Sequence, residues 1–184
     1  YPYQELFREN LMSVMVAHLN IPSLDPTANM ATSLSKKVVT DLLQNQMNFQ
    51  GLIFTDALTM KGAADFVQSG IDGNTTKKMD TRGEIDLMAF NAGNDVMLMS
   101  ESVPKGIEKI LEAYEKGDIT EDRLAHSVKK ILMAKYKVGL QDYKPISYRG
   151  VDKDIIRPID DVLSGRLLEE AITVLKNKNN ILPF

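Results

Sequence analysis

Apolar residues follow two rhythms along this chain. One is short and continuous. Ser13-Val14-Met15-Val16-Ala17, Leu52-Ile53-Phe54-Thr55 and Val96-Met97-Leu98-Met99 are brief runs bounded by polar or turn-forming positions, and each predicts a buried strand. The other recurs at helical spacing. After Ser33 or Ser35 as cap, Val38, Val39, Leu42, Leu43 and Met47 define one helix, and Ile85, Met88 and Ala89 define a second that starts near Gly83 and ends at Gly93. Pro104 opens a third helix with the stripe Ile107, Ile110, Leu111 and Tyr114, which Gly117 ends. Thr120 caps a fourth with the stripe Leu124, Val128, Ile131 and Leu132, so these two helices are expected to form a hairpin.

Elsewhere the rhythm lapses. Lys61 to Arg82 carries Gly62, Gly70, Gly73 and the polar string Asp72-Gly73-Asn74-Thr75-Thr76, which predicts an irregular surface excursion. From Gln141 to Pro158 periodicity disappears, and Pro145, Gly150 and Pro158 predict an extended linker. A last helix is expected to reach Ala171, followed by a strand at Ile172-Thr173-Val174-Leu175 and a polar turn at Asn177-Lys178-Asn179-Asn180.

The three early strands end near residues 17, 55 and 99, so they recur after 38 and then 44 residues with a helix between them. That spacing calls for parallel strands joined by helical crossovers, and strands that are apolar throughout suit a sheet covered by helices or a packed barrel. The fold class is therefore α/β. A complete eight-unit barrel takes about 250 residues, so if the fold is a barrel, a chain with three units before its linker holds part of one.

Composition narrows the functions. A chain of 184 residues, 43% hydrophobic and 26% charged, is long enough to bury a core. Its net charge of -3 offers no basic field for nucleic acid, and no apolar run approaches the roughly 18 residues of a membrane helix. Tyr1-Pro2-Tyr3-Gln4-Glu5 shows no targeting pattern. The absence of cysteine excludes disulfides, zinc–thiolate sites and a cysteine nucleophile, and suits a bacterial cytoplasm or periplasm equally.

In parallel α/β folds, functional side chains gather where strands end. Asp56 follows the second strand and His18 follows the first. A carboxylate beside an apolar run needs hydrogen-bond donors or a task, so Asp56 is either a catalytic group or a loop anchor. His18 either binds substrate or bonds the backbone. Asp95 begins the third strand, on the opposite rim, and is read as structural. Glu101, beyond that strand, is read as support for the next helix N-terminus, His126 as a solvated residue off its helix stripe, and the methionines mostly as core.

The segment Gly51-Leu52-Ile53-Phe54-Thr55-Asp56-Ala57-Leu58-Thr59-Met60-Lys61-Gly62-Ala63 resembles the nucleophile strand of glycoside hydrolase family 3, above all its β-N-acetylglucosaminidase branch. Val14-Met15-Val16-Ala17-His18 is similar to the family's sixth barrel strand, and Asn91-Ala92-Gly93-Asn94-Asp95-Val96-Met97-Leu98-Met99 to its eighth. Glu169 to Asn177, with Asn180-Ile181-Leu182-Pro183-Phe184, resembles the start of the second, α/β sandwich domain of two-domain members. The resemblance implies the C-terminal part of a (β/α)8 TIM-type barrel over 1–140, a linker over 141–158 and the start of a second domain over 159–184.

It also implies a role for each site residue. Asp56 would attack the anomeric carbon of a β-linked amino-sugar glycoside and form a covalent intermediate that water resolves with retention. His18 would be a pocket residue that binds substrate. Ala57-Leu58 stands where the glucosidase branch usually has an aromatic residue. The proton donor would lie outside these residues, on the missing N-terminal barrel half or in the second domain, so the isolated chain is expected to be inactive. No metal and no cofactor are implied. A phospho-acceptor domain would need an acidic pair after the first strand, where this chain has Ala17-His18, and a Lys after a late strand, where it has Ser100-Glu101. A non-catalytic, sugar-binding relative is the third reading.

Overall fold

The three apolar runs become three parallel strands in the order β1–β2–β3: β1 (Ser13–Val16), β2 (Leu52–Ala57) and β3 (Val96–Leu98). They belong to a computed structural model that describes residues 2–63, 82–155 and 157–178. Most of the excursion expected between Lys61 and Arg82, and the end of the polar turn at Asn179 and Asn180, lie outside the described residues. The chain divides into two units, one running to Gln141 and one starting at Asp142.

In the first unit, α1 (Pro2–Arg8) precedes β1, α2 (Lys37–Gln46) links β1 to β2, and α3 (Glu84–Ala92) precedes β3. α1 was not foreseen. It is a seven-residue helix with Pro2 in its first turn and a Glu5–Arg8 ion pair of 2.7 Å, and it is anchored by Phe7 against Phe49 with ring centres 4.5 Å apart. α2 is wound wider than an α-helix, closing i→i+5 bonds such as Met47 N–H to Leu42 O at 2.8 Å. Val39 and Leu43 pack towards the strands, while Thr40 and Gln44 donate to the carbonyls of Ala92 (2.7 Å) and Gly93 (2.8 Å). Those are carbonyls that the end of α3 leaves without helical partners. Gly93 must be glycine here, because its φ is +117° and a Cβ would stand 2.5 Å from Thr40 Oγ1.

The parallel register pairs Val14 with Ile53 and Val16 with Thr55, placing them on one face of the sheet. That face packs on Val39, Phe49, Ala92 and Leu43. The other face carries Met15, 60% exposed, and the half-buried Leu52 and Phe54. Several methionines expected in the core, Met15, Met99 and Met133 among them, are thus exposed, Met15 because it lies on the uncovered face.

α4 (Val103–Glu115) begins and ends as expected and α5 (Glu121–Lys137) begins as expected, with the Thr120 hydroxyl accepting the Arg123 N–H at 3.2 Å. Their buried faces differ from the predicted stripes. α4 turns Gly106, Ile110 and Ala113 inward and leaves Ile107, Leu111 and Tyr114 exposed, because the small residues let it approach α3 so closely that a Cβ on Gly106 would lie 3.0 Å from Asp86 Cγ. α5 turns Arg123, Leu124, Ser127 and Lys130 inward and leaves Val128 and Leu132 exposed. The cause is Asp95, which collects these polar chains at the amino-terminal rim. Asp95 accepts the Ile53 N–H (3.0 Å) and the Ser127 hydroxyl (2.6 Å), and pairs with Lys130. Arg123 reaches Ser127 Oγ at 2.5 Å and the carbonyls of Phe90 (2.9 Å) and Asn94 (2.7 Å), with its guanidinium 4.1 Å above the Phe90 ring. Burial pulls its pKa below the usual value, against the pull of Asp95.

In the second unit, the expected linker contains a short helix, α6 (Val151–Ile155), started by Gly150 at φ +83°. α7 (Pro158–Ala171) follows. Ile172 adopts extended backbone, yet residues 172–178 form no strand, because no described strand of this unit is present to ladder with them.

Candidate active site

Asp56 lies within β2, which runs one residue past it. The pairing of β2 with β3 steps from Phe54–Val96 to Ala57–Leu98, so β2 spends one residue more than β3 over this stretch, forming a bulge at Thr55 and Asp56. Thr55, fully buried, seals the gap with a side chain. Its Oγ1 accepts the Leu98 N–H at 2.9 Å, and the backbone ladder resumes as Leu58 N–H meets Leu98 O at 2.9 Å.

The Asp56 carboxylate is half-buried, and its Oδ1 accepts the Ala57 N–H at 2.8 Å. Its Oδ2 has no hydrogen-bond partner among the described residues. The next carbonyl is held firmly, since Ala57 O accepts from His18 Nε2 at 3.0 Å and from the Met60 N–H at 3.0 Å. His18 Nδ1 lies 2.5 Å from Ser33 Oγ. Gly62 brings the turn after Asp56 against His18, where a Cβ would sit 3.0 Å from the His18 carbonyl.

The segment that carries Ser33 crosses the end of β1. Thr32 Oγ1 donates to Ala17 O at 2.6 Å, and the Thr32 N–H reaches Leu19 O at 2.8 Å. Asn94 then pins it from β3's side, its amide bridging Ser33 O (2.8 Å) and Ala89 O (2.7 Å), while Asn94 Oδ1 is buried without a partner among the described residues. Two further carboxylates lie buried near this rim. Asp25 accepts from Ser35 Oγ (2.6 Å), the Thr27 N–H (3.1 Å) and hydroxyl (2.9 Å) and Lys37 (3.1 Å), and these bonds, the Ser35 hydroxyl foremost and against the effect of burial, hold its carboxyl well below the usual range. Asp86, on the first turn of α3, is pushed up by burial, against a hydrogen bond from Ser100.

The profile of the "Glycosyl hydrolase family 3 N terminal domain" matches residues 1–134. The chain belongs to this family. A β-N-acetylglucosaminidase/β-glucosidase of Cellulomonas fimi is 21% identical over 190 residues, covering 99% of this chain and 31% of that protein. A lysosomal β-glucosidase of Dictyostelium discoideum is 29% identical over 151 residues, covering 82% of this chain and 17% of that protein. Among solved structures, a family 3 β-N-acetylglucosaminidase from Paenibacillus sp. strain FPU-7 superposes with a TM-score of 0.75 at 25% identity, covering 96% of this chain and 31% of that one. The chain thus spans a third or less of the length of these relatives, and its three-stranded parallel sheet corresponds to part of the family 3 N-terminal barrel domain.

Within this family 3 chain, Asp56 and His18 converge on one carboxyl-terminal rim, bridged by Ala57. Glu101 is exposed and makes no capping bond, because Ser102 occupies the N-cap of α4. His126 is exposed, and Asp95 holds the opposite rim. Sequence reasoning took Ser33 only as a candidate cap of α2, whose N-cap is Lys36, and missed Asp25, Asp86 and the bulge. The hydroxyl and carboxylate spacing Asp25-x-Thr27 followed by Ser35 and Lys37 was a usable signal for a buried anchor. No helix among the described residues is long and apolar enough to cross a membrane, and no cluster of three metal-ligating groups occurs among them.

Proposed function

We propose that this chain supplies the nucleophile of a retaining β-glycosidase that releases terminal β-linked N-acetylhexosamine, with Asp56 attacking the anomeric carbon. The observation that carries this reading is the Asp56 carboxylate itself. It sits on a bulged strand end, with Oδ1 held by the Ala57 N–H and Oδ2 unengaged among the described residues, in a chain of a glycosidase family. A nucleophile needs one free, rigidly aimed oxygen, and a strand end provides that better than a mobile loop. Attack forms a bond from Oδ2 to the anomeric carbon as the bond to the leaving oxygen breaks. The leaving oxygen takes a proton from an acid elsewhere in the polypeptide, and the resulting conjugate base then takes a proton from the water that displaces the carboxylate with net retention. The remaining barrel strands are the partner this sheet requires, consistent with relatives about three times as long.

The amino-sugar preference is supported by Ala57-Leu58 after the nucleophile, in place of the aromatic residue of the glucosidase branch, and by the hexosaminidases among the relatives. The glucosidases among them make a β-glucosidase the alternative. Incubating the complete polypeptide with a 2-fluoro mechanism-based sugar and mapping the adduct tests the first point. Label is expected on Asp56, and label on another residue refutes the assignment. Paired N-acetylglucosaminide and glucoside substrates decide the branch, a higher kcat/KM for the glucoside overturning the amino-sugar reading.

A further inference from the structure

We propose that Ser33 and His18 form a positioning pair for the Asp56 carboxylate. The inference rests on the reading of Asp56 as nucleophile. The two side chains come from different segments and meet at one carbonyl. Because the Ala57 carbonyl can only accept, His18 Nε2 carries the hydrogen in their 3.0 Å bond. In the neutral ring Nδ1 is then an acceptor, and the Ser33 hydroxyl, 2.5 Å away, donates to it. Ser33 itself cannot drift, being fully buried in the turn Thr32–Leu34, with its carbonyl taken by the Asn94 amide at 2.8 Å.

The consequence falls on the peptide that follows Asp56. The Ala57–Leu58 peptide unit is fixed at its carbonyl by His18 and by the Met60 N–H, and at its N–H by Leu98 O at 2.9 Å. His18 is the one side chain among these three. On its other side Ala57 uses its own N–H to hold Asp56 Oδ1 at 2.8 Å. Fixing Ala57 therefore fixes which carboxylate oxygen is restrained and which is left to react. With both nitrogens engaged inside the chain, the imidazole serves the site by holding Ala57, and direct polar contact with a sugar would cost it one of these bonds.

Misplacing a reacting group by about 1 Å costs up to roughly 100-fold in rate. Removing the hydroxyl by Ser33→Ala is expected to lower kcat about 10-fold, and His18→Ala about 100-fold, with KM within about twofold in both. His18→Gln should recover most of kcat, because its amide N–H can reach the Ala57 carbonyl. The experiment measures kcat and KM of the complete polypeptide and these variants, together with the rate and site of 2-fluoro-sugar labelling. Ser33→Ala removes a single atom, so it and His18→Gln remain informative if His18→Ala does not fold. Wild-type label on Asp56 with unchanged kcat in Ser33→Ala and His18→Ala refutes the positioning pair alone. A rise in KM with kcat intact also refutes it, making His18 a direct sugar contact. Wild-type label on a residue other than Asp56 removes the nucleophile reading on which the pair depends.

Discussion

Replacing Asp95 by alanine should bring the fold close to collapse, and the size of the effect follows from what its carboxylate holds. Asp95 is 5% exposed, its Oδ2 accepts the Ile53 N–H and pairs with Lys130, and its Oδ1 accepts the Ser127 hydroxyl that in turn accepts from Arg123. Its own N–H donates to Ile53 O at 2.8 Å, so the start of β2 and the start of β3 are clasped by one residue. Removing one partner of a buried ion pair costs about 3–5 kcal/mol, and an orphaned buried donor such as the Ile53 N–H adds about 1–3 kcal/mol. A loss near 5 kcal/mol is comparable with the whole stability of a marginal domain, about 5–15 kcal/mol. An exposed pair would cost about 1 kcal/mol or less, so the measurement discriminates. Lys130→Met should cost less, because Asp95 keeps Ile53, Ser127 and the nearby Arg123 charge. The double variant Asp95→Ala with Lys130→Met should be milder than the sum of the two by at least about 1 kcal/mol. Urea unfolding followed by circular dichroism reads all three. A cost below about 1 kcal/mol for Asp95→Ala, or simple additivity with Lys130→Met, would refute the account of this rim.

Three more outcomes can be measured in the same way. Thr55→Val removes the acceptor of the Leu98 N–H at the bulge and should cost about 1–3 kcal/mol, with Thr55→Ser close to wild type; equal urea midpoints for all three would show that the bulge does not depend on the hydroxyl. Asp25 has a carboxyl held well below its unfolded value, so its stabilisation is complete above about pH 4 and fades as pH falls through the folded value. Asp25→Asn should therefore melt well below wild type at neutral pH, by a margin that shrinks below pH 4, and a margin independent of pH would contradict this. Asp86 has the opposite sign: burial raises its carboxyl, so ionisation opposes folding increasingly as pH rises through the folded value. Asp86→Asn should match wild type near pH 4 and exceed its melting temperature near pH 8, and a less stable variant at pH 8 would overturn the reasoning.

The strands were legible because each is an uninterrupted apolar run, and α2 to α5 because caps and glycines bracket a periodic pattern. Asp95 was legible as structural from its position at the start of a strand. What failed was the assumption that burial follows hydrophobicity. On α5 the inward positions are Arg123, Ser127 and Lys130, drawn to one carboxylate that lies some thirty residues earlier, and no local pattern encodes that attraction. On α4 the inward positions are small, Gly106 and Ala113, so the bulky stripe that a periodicity count selects is the outer one. The bulge at Asp56 was invisible for a related reason. It is a mismatch of register between β2 and β3, and register is a property of two strands some forty residues apart.

The two ends of β2 show why a carboxylate at a strand end is visible in the sequence while its surroundings are not. At the amino end, Ile53 gives both backbone groups to Asp95, an arrangement that serves stability. At the carboxyl end the ladder is interrupted, and side chains replace it: Thr55 takes the Leu98 N–H and His18 supports the Ala57 carbonyl. A bulge without these two would leave Ala57 held only by the Met60 N–H and, through Leu58, by Leu98 O, a looser hold on the residue whose N–H restrains Asp56 Oδ1. The carboxylate alone is a one-residue signal at a strand end. Around it Thr55, His18 and Ser33 make bonds that appear only when β1, β2, β3 and the turn Thr32–Leu34 come together, and of the three only His18 stood out in the sequence.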